Sequence, residues 1–165
     1  MNREFRPELM SRKAEWLAWL SSIGLFMGLI VASTGTDTVG ILFWGFAYFL
    51  LFTAGSISLG NWMDSRSVLR LDADGVAYQN GLRSVNFKWS EIQNVAIVPT
   101  KLGKRVQVQS AHAHFTFKTM GELKMGNQWL RAGFADGEEI LAHILEKCGM
   151  ILKAEKDGMV YYARA

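Results

Sequence analysis

Two long apolar stretches open the chain, and short alternating segments follow them. Residues 16–36 and 38–63 contain no Asp, Glu, Lys or Arg. About 18 consecutive, mostly apolar residues suffice for a helix that spans a bilayer. We therefore predict two transmembrane helices, over about 16–35 and 39–62. The link between them, around residues 34–37, is so short that the two helices must run antiparallel as a hairpin.

The charges around this hairpin predict its orientation. The flank 1–15 carries four basic and three acidic residues, Arg66 and Arg70 follow the second stretch, and the link holds no Lys or Arg. Basic residues concentrate on the cytoplasmic side. The sequence predicts a multi-pass protein of the inner, cytoplasmic membrane with both termini in the cytoplasm. A cleaved signal peptide is the alternative, but the acidic flank and the length of the first stretch argue against it.

Small residues lie four apart on both predicted helices. Such spacing lets two helix backbones approach closely in a membrane. The hairpin's own packing is the first explanation, and a contact with another membrane protein is the second. The absence of charges within the two stretches argues against an ion or proton pathway. The candidate helix-packing residues are Gly24, Gly28, Ser56 and Gly60.

Residues 64–149 have the composition and patterning of a folded domain. Apolar and polar residues alternate in short segments, and Asp74-Gly75 and Asn80-Gly81 are strong hairpin turns between them. The pattern is typical of an antiparallel sheet with one face on a core. The predicted strands are 68–72, 76–78, 83–89, 95–98, 105–109, 114–118 and 128–134.

The period then changes to that of a helix. Asp136 with Glu139 matches a capping box, and Gly149 supplies a stop. The apolar face of this helix consists of Ile140, Leu141, Ile144, Leu145 and Cys148. We expect this face to cover the open end of a bent sheet. Residues 150–165 are predicted to form a last hairpin or an extended tail.

Three segments resemble bacterial pleckstrin-homology (PH)-like domains. They are residues 69–80 with their Asp-Gly turn, residues 87–92 with Trp89 and Ile92 at the end of a strand, and residues 133–140 at the helix entry. A helical hairpin before the domain is also common in that family, so the resemblance covers roughly residues 16–149. It implies an α+β fold, a bent seven-stranded antiparallel barrel capped by one C-terminal helix. Fold kinship alone does not define activity.

The charge pattern offers one candidate interaction patch. The chain of 165 residues has a net charge of +3, and residues 99–131 hold six basic residues against Glu122 alone. Anionic lipid headgroups are a possible partner for such a patch, and a merely solvated set of loops is the alternative. Nucleic acid is not expected, because interleaved aromatic residues are missing. The patch consists of Lys101, Lys104, Arg105, Lys118, Lys124 and Arg131.

The sequence offers little catalytic or metal-binding chemistry. His112 and His114 would share a strand face, but a third ligand is missing nearby, and His143 and Cys148 complete no zinc spacing. No glycine-rich phosphate loop or nucleophile elbow is present. The acidic turn 72–75 argues against phosphoinositide binding at the first hairpin. We therefore expect no cofactor, no metal and no enzymatic activity.

These observations predict a non-enzymatic, membrane-anchored interaction or scaffold module. Its free sheet edges and the groove between sheet and helix are the expected binding surfaces for a protein partner. An accessory or assembly subunit of a larger membrane complex, engaged through the transmembrane hairpin, is the alternative.

Overall fold

The computed structural model of the chain describes residues 3–9, 12–35, 40–125 and 128–164. It divides into two compact units. One unit is Ser11–Trp62, and the other combines Met1–Met10 with Met63–Ala165. The second unit therefore contains chain from both sides of the two apolar stretches.

The first unit is a pair of long apolar helices, α1 (Lys13–Gly35) and α2 (Ile41–Ser65). Both are long and apolar enough to cross a membrane, and only 11% of each apolar window is buried. The core helix of a soluble protein would be mostly buried instead. The predicted link falls partly on residues 36–39, which lie outside the described residues.

Contacts between α1 and α2 show that the helices run antiparallel. Near the start of α1, Trp19 Nε1 donates a hydrogen bond to Ser58 Oγ near the end of α2, at 2.8 Å. Further along α1, the ring of Phe26 meets Trp44 and Tyr48 edge-on, with centroids 5.7 and 5.2 Å apart.

The second unit contains twelve strands in three sheets within the described residues. Each of the predicted strands is present, but the sheets do not close into a barrel. Neighbouring strands pair in the orders β1-β3-β4-β5, β2-β10-β9 and β11-β12-β6-β7-β8. The strands are β1 (Arg3–Phe5), β2 (Pro7–Glu8), β3 (Ser67–Leu71), β4 (Gly75–Asn80), β5 (Ser84–Lys88), β6 (Ile92–Pro99), β7 (Lys104–Ser110), β8 (His114–Lys118), β9 (Gly121–Met125), β10 (Gln128–Phe134), β11 (Met150–Lys156) and β12 (Met159–Arg164).

Strands from both ends of the chain join these sheets. The N-terminal strand β1 pairs antiparallel with β3, and β12 pairs with β6. By sequence alone, β1 belongs to a membrane flank and the position of the last residues stays open. The first sheet thus combines residues from before α1 with residues from after α2.

One hydrophobic core joins the sheets to helix α3 (Gly137–Cys148). Inward side chains alternate along the strands, as predicted, so that Val106 and Val108 of β7 are fully buried. From α3, Ile140 and Ile144 are fully buried, and Leu145 packs at the margin. The predicted apolar face of this helix is confirmed.

The start of α3 differs from the prediction. The side chain of Asp136 makes no capping hydrogen bond, because its backbone (φ −89°, ψ 22°) lacks the extended conformation that a capping side chain requires. Glu139 instead forms an ion pair with Arg3 of β1. The end of the helix is as predicted: Gly149 is left-handed (φ 59°).

Candidate interaction surfaces

Two residues of the basic patch form a pair on neighbouring strands. Strand alternation turns Arg105 of β7 and Lys118 of β8 away from the buried side chains of Val106 and Phe117. Arg105 and Lys118 are direct antiparallel partners. Like charges in this position repel each other, so an anion between them would relieve the repulsion. We call these two residues the β7–β8 basic pair.

The other basic residues are placed differently. Lys104 pairs with Glu138 at 3.0 Å, and Arg131 pairs with Glu122 at 2.9 Å. Lys101 is exposed in the turn between β6 and β7. The local excess of charge seen in the sequence is therefore partly compensated, and the patch does not act as one uniform cluster.

The hairpin of β9 and β10 carries an exposed tryptophan that sequence reasoning missed. Trp129 is 60% exposed, and the ammonium of Lys124 lies 5.9 Å from its ring centroid. The two residues are cross-strand partners. Recognition of β9 as a strand would have placed Trp129 and Lys124 side by side, but Gly121 and Lys124 interrupt the apolar pattern there.

Strand β5 is a free edge of the four-stranded sheet. It pairs with β4 on one side, from Gly75 opposite Lys88 to Gln79 opposite Ser84, and has no partner on the other side within the described chain. Its buried residue, Phe87, fixes the strand to the core. Unpaired backbone groups of this kind accept an added strand.

The four predicted helix-packing residues do not form the contact between the two long helices, whereas the small residues Ser22, Ala47 and Ala54 are buried. A Cβ atom added at Gly24, Gly28 or Gly60 would meet no atom within 4 Å. The hydroxyl of Ser56 donates to the carbonyl of Phe52 in its own helix, at 2.9 Å. These positions leave open faces on the hairpin.

A polar cluster joins the first turn of α1 to the end of α2. The hydroxyl of Ser58 donates to Glu15 Oε1 at 2.6 Å and accepts from Trp19, while Asn61 Nδ2 donates to Glu15 Oε2 at 2.7 Å. By sequence alone, Glu15 belongs to the flank. In the structure its carboxylate connects the two helices, so this acid helps to fix the alignment of the hairpin.

A cavity of about 320 Å³ lies between α3 and the end of β3. Charged side chains line both of its walls, and Arg3 of the N-terminal strand contributes to it. Sequence reasoning named the sheet–helix groove as a surface but not these residues, because they come from three distant segments. The lining consists of Arg3, Leu71, Asp72, Ala73, Glu139, His143 and Lys147.

Trp89 and Cys148 have structural roles. Trp89 is buried and donates through Nε1 to the carbonyl of Ala73 at 2.9 Å, so its predicted core position is confirmed. Cys148 is 3% exposed, and burial raises the pKa of its thiol. A thiolate nucleophile is therefore disfavoured at this position.

Contrary to the sequence prediction, His112 and His114 do not share a strand face. His114 is exposed at the start of β8, and His112 lies in the turn before it. The described residues contain no group of three His, Cys, Asp or Glu side chains that could hold a metal ion. His143 lies elsewhere, on α3 beside Trp89.

Comparison of the chain with protein-family models, curated proteins and solved structures finds no match.

Proposed function

We propose that the protein is a non-enzymatic, membrane-anchored interaction module of the cytoplasmic face, with a domain related to the PH-like fold. Helices α1 and α2 cross the membrane as a hairpin. The sheet unit binds a protein partner and acts as a scaffold beside the membrane.

The observation that carries the membrane topology of this proposal is the pairing of β1 with β3. Strand β1 precedes α1, strand β3 follows α2, and the register places Glu4 opposite Arg70. A sheet cannot form across a bilayer, so pairing of these strands requires an even number of crossings between them. Two helices of sufficient length and apolarity occupy that interval.

The sidedness of the hairpin can be tested with single-cysteine variants. In a chain that carries Cys148→Ser, we introduce a single cysteine by Lys153→Cys. We expect this cysteine to react with an impermeant maleimide only after the inner membrane is opened. A matched cysteine at Thr36, in the link, should react in intact spheroplasts. Reaction of the Lys153 site in intact spheroplasts would contradict the cytoplasmic placement.

We propose the β5 edge as the site where an extended segment of a partner adds as a strand. Lysine side chains on an edge strand oppose strand addition. Asn86→Lys should therefore abolish the co-purification of a specific protein in mild detergent. Gln79→Lys, on the neighbouring β4 strand, which is paired on both sides, is the control. Equal loss in both variants would show that the β5 edge is not the site.

Lipid attraction is tested separately at the β7–β8 basic pair. Each basic residue close to an anionic membrane contributes about 1 kcal/mol. An Arg105→Gln, Lys118→Gln double variant of the full chain should lose part of its salt-sensitive preference for anionic membranes, measured by its partition between anionic and neutral nanodiscs. Lys153→Gln with Lys156→Gln, on β11, is the charge-matched control.

The open glycine face of α1 favours a second candidate, an accessory subunit held in a larger complex by its hairpin. Gly24→Ile with Gly28→Ile would fill that face and should release the complex while the sheet unit remains folded. Ile23→Phe is the control, since it enlarges an exposed side chain about 100° around the helix. Retention of the complex by the double variant would exclude this face.

A further inference from the structure

The cavity between α3 and the end of β3 is lined by charges of both signs. Arg3 and Asp72 lie on the sheet side, and Glu139, His143 and Lys147 lie on α3. Arg3 and Glu139 pair with each other, which leaves Asp72 on the sheet side and His143 with Lys147 on the helix side. Its volume of about 320 Å³ is at the lower end of the range for small-molecule sites, about 300–1,000 Å³. A small ligand therefore fits here.

The helix wall presents two nitrogen groups side by side. Glu139, His143 and Lys147 follow each other at intervals of four residues, so they lie on one face of α3. Glu139 is already paired with Arg3. Lys147 forms no ion pair within the described chain. The ring of His143 packs edge-on against the ring of Trp89, with centroids 5.8 Å apart. His143 and Lys147 together can bind an anion.

Asp72, on the sheet side of the cavity, has a buried acceptor without a partner. Asp72 Oδ1 is buried and has no hydrogen-bond partner among the described residues. Buried carboxylate oxygens normally accept hydrogen bonds. The backbone N–H of Asp72 closes the β3–β4 turn by donating to the carbonyl of Gly75 at 2.9 Å, so no contact of the carboxylate itself is needed for that turn. The carboxylate can accept from a ligand after a small rearrangement of its side chain.

We infer that this cavity binds a small zwitterion that carries a primary ammonium group and a phosphate. The ammonium donates to the carboxylate of Asp72, and the phosphate oxygens accept from His143 and Lys147. The charges of Asp72 and Lys147 offset each other, so a ligand with both signs of charge is matched on both walls. Phosphoethanolamine has this chemistry, either as a free compound or as a lipid headgroup.

The inference is tested by NMR of the full chain in detergent with isotope-labelled histidine. The chain has three histidines, and His112 and His114 do not line the cavity, so they serve as internal references. Addition of O-phosphoethanolamine should shift the His143 resonances alone. Phosphocholine, whose three methyl groups replace the N–H donors, should bind about tenfold more weakly or worse, the effect of one lost charge-assisted hydrogen bond.

Two variants with matched controls locate the contacts. Asp72→Asn and Lys147→Gln should each weaken binding about tenfold or more. Asp74→Asn lies in the same turn and Lys153→Gln on β11, and neither lines the cavity, so both should bind as the original chain does. Unchanged near-ultraviolet circular dichroism will show that the variants are folded.

Nanodiscs distinguish the two sources of the ligand. A His143 shift in discs that contain phosphatidylethanolamine, but not in discs of phosphatidylcholine alone, identifies the lipid headgroup. A shift with the free compound only identifies a soluble ligand. No shift in either case, or equal binding of phosphocholine, overturns the inference. The detergent measurement involves no protein partner, so its result is independent of the proposed interaction function.

Discussion

Arg70 Nε donates a hydrogen bond to Glu4 Oε2 at 3.0 Å, across 66 positions of sequence. Arg6 also donates to Glu4, at 2.9 and 3.0 Å. The bond from Arg70 links the N-terminal strand to the strand that follows the second long helix, and the bonds from Arg6 hold the Glu4 carboxylate within its own segment. A very short strand of three residues is thereby fastened by side chains as well as by its backbone.

This link should make the attachment of β1 sensitive to acid. The hydrogen bonds from Arg6 and then Arg70 hold the pKa of Glu4 below its usual value of 4.5. The link is therefore fully present above the usual value and is lost as the pH falls through the lowered pKa. Hydrogen exchange at the Phe5 amide, corrected for intrinsic rates, should accelerate over that interval.

Glu4→Gln is the test of that cause. It should already show the faster exchange at neutral pH and little further change in acid. Glu8→Gln, in β2, should retain the acid response of the original chain. An acid response that persists in Glu4→Gln would assign the effect to another group.

The buried thiol of Cys148 should react slowly. Burial raises its pKa, and the thiolate is the reactive form. At neutral pH, modification by a maleimide should be at least about a hundredfold slower in the folded chain than in denaturant, where the pKa returns to about 8.5. Because the folded pKa is raised, stability is fully present below the unfolded pKa and decreases as the pH rises above it.

Gly75 lies where the β3–β4 turn meets β5. A Cβ atom there would come within 2.0 Å of the carbonyl oxygen of Phe87. Gly75→Ala should lower the free energy of unfolding by about 3 kcal/mol or more, as backbone shifts in a packed core do. Denaturant unfolding, followed by the fluorescence of Trp89 and Trp129 in the sheet unit, with the other tryptophans replaced by phenylalanine, measures this loss.

Gly45→Ala is the matched control in helix α2. A Cβ atom there meets nothing within 4 Å, and alanine is favoured over glycine in a helix interior by about 1 kcal/mol. It should leave stability unchanged or raise it. Equal losses at the two glycines would show that the close approach at Gly75 is unimportant.

The hydrogen bond between Trp19 and Ser58 should contribute measurably to the packing of the two long helices. A double-mutant cycle with Trp19→Phe and Ser58→Ala in detergent should give a coupling energy of about 0.6 kcal/mol, the average for polar contacts between membrane helices. Trp19→Phe combined with Thr53→Val should give none, because the Thr53 hydroxyl bonds within its own helix. Coupling in both cycles would indicate a general change in the helix pair.

Local pattern was enough to predict much of the fold. The long helices follow from the absence of charge over more than twenty residues, and the strands from alternation such as that of Val106 and Val108. The face of α3 follows from its helical period. In each case the decisive information lies within one segment.

The features that sequence missed depend on distant segments. Strand β1 has three residues and no periodicity of its own, and it is defined only by its register with β3. The capping box at Asp136 failed because the backbone of Asp136 is not extended, and Glu139 pairs instead with Arg3, 136 positions away. The groove between sheet and helix was predicted, but the residues that line its cavity were missed for the same reason, since they come from β1, the end of β3 and α3.

The pairing of β1 with β3 also orders the biogenesis of the protein. Strand β1 leaves the ribosome first, yet its partner is synthesised only after both apolar helices. If the helices insert as proposed, the first sheet can be completed only in chains where both have done so correctly. A chain with one helix misinserted would leave these strands on opposite sides of the bilayer, with an unfinished sheet edge for quality-control proteases to recognise.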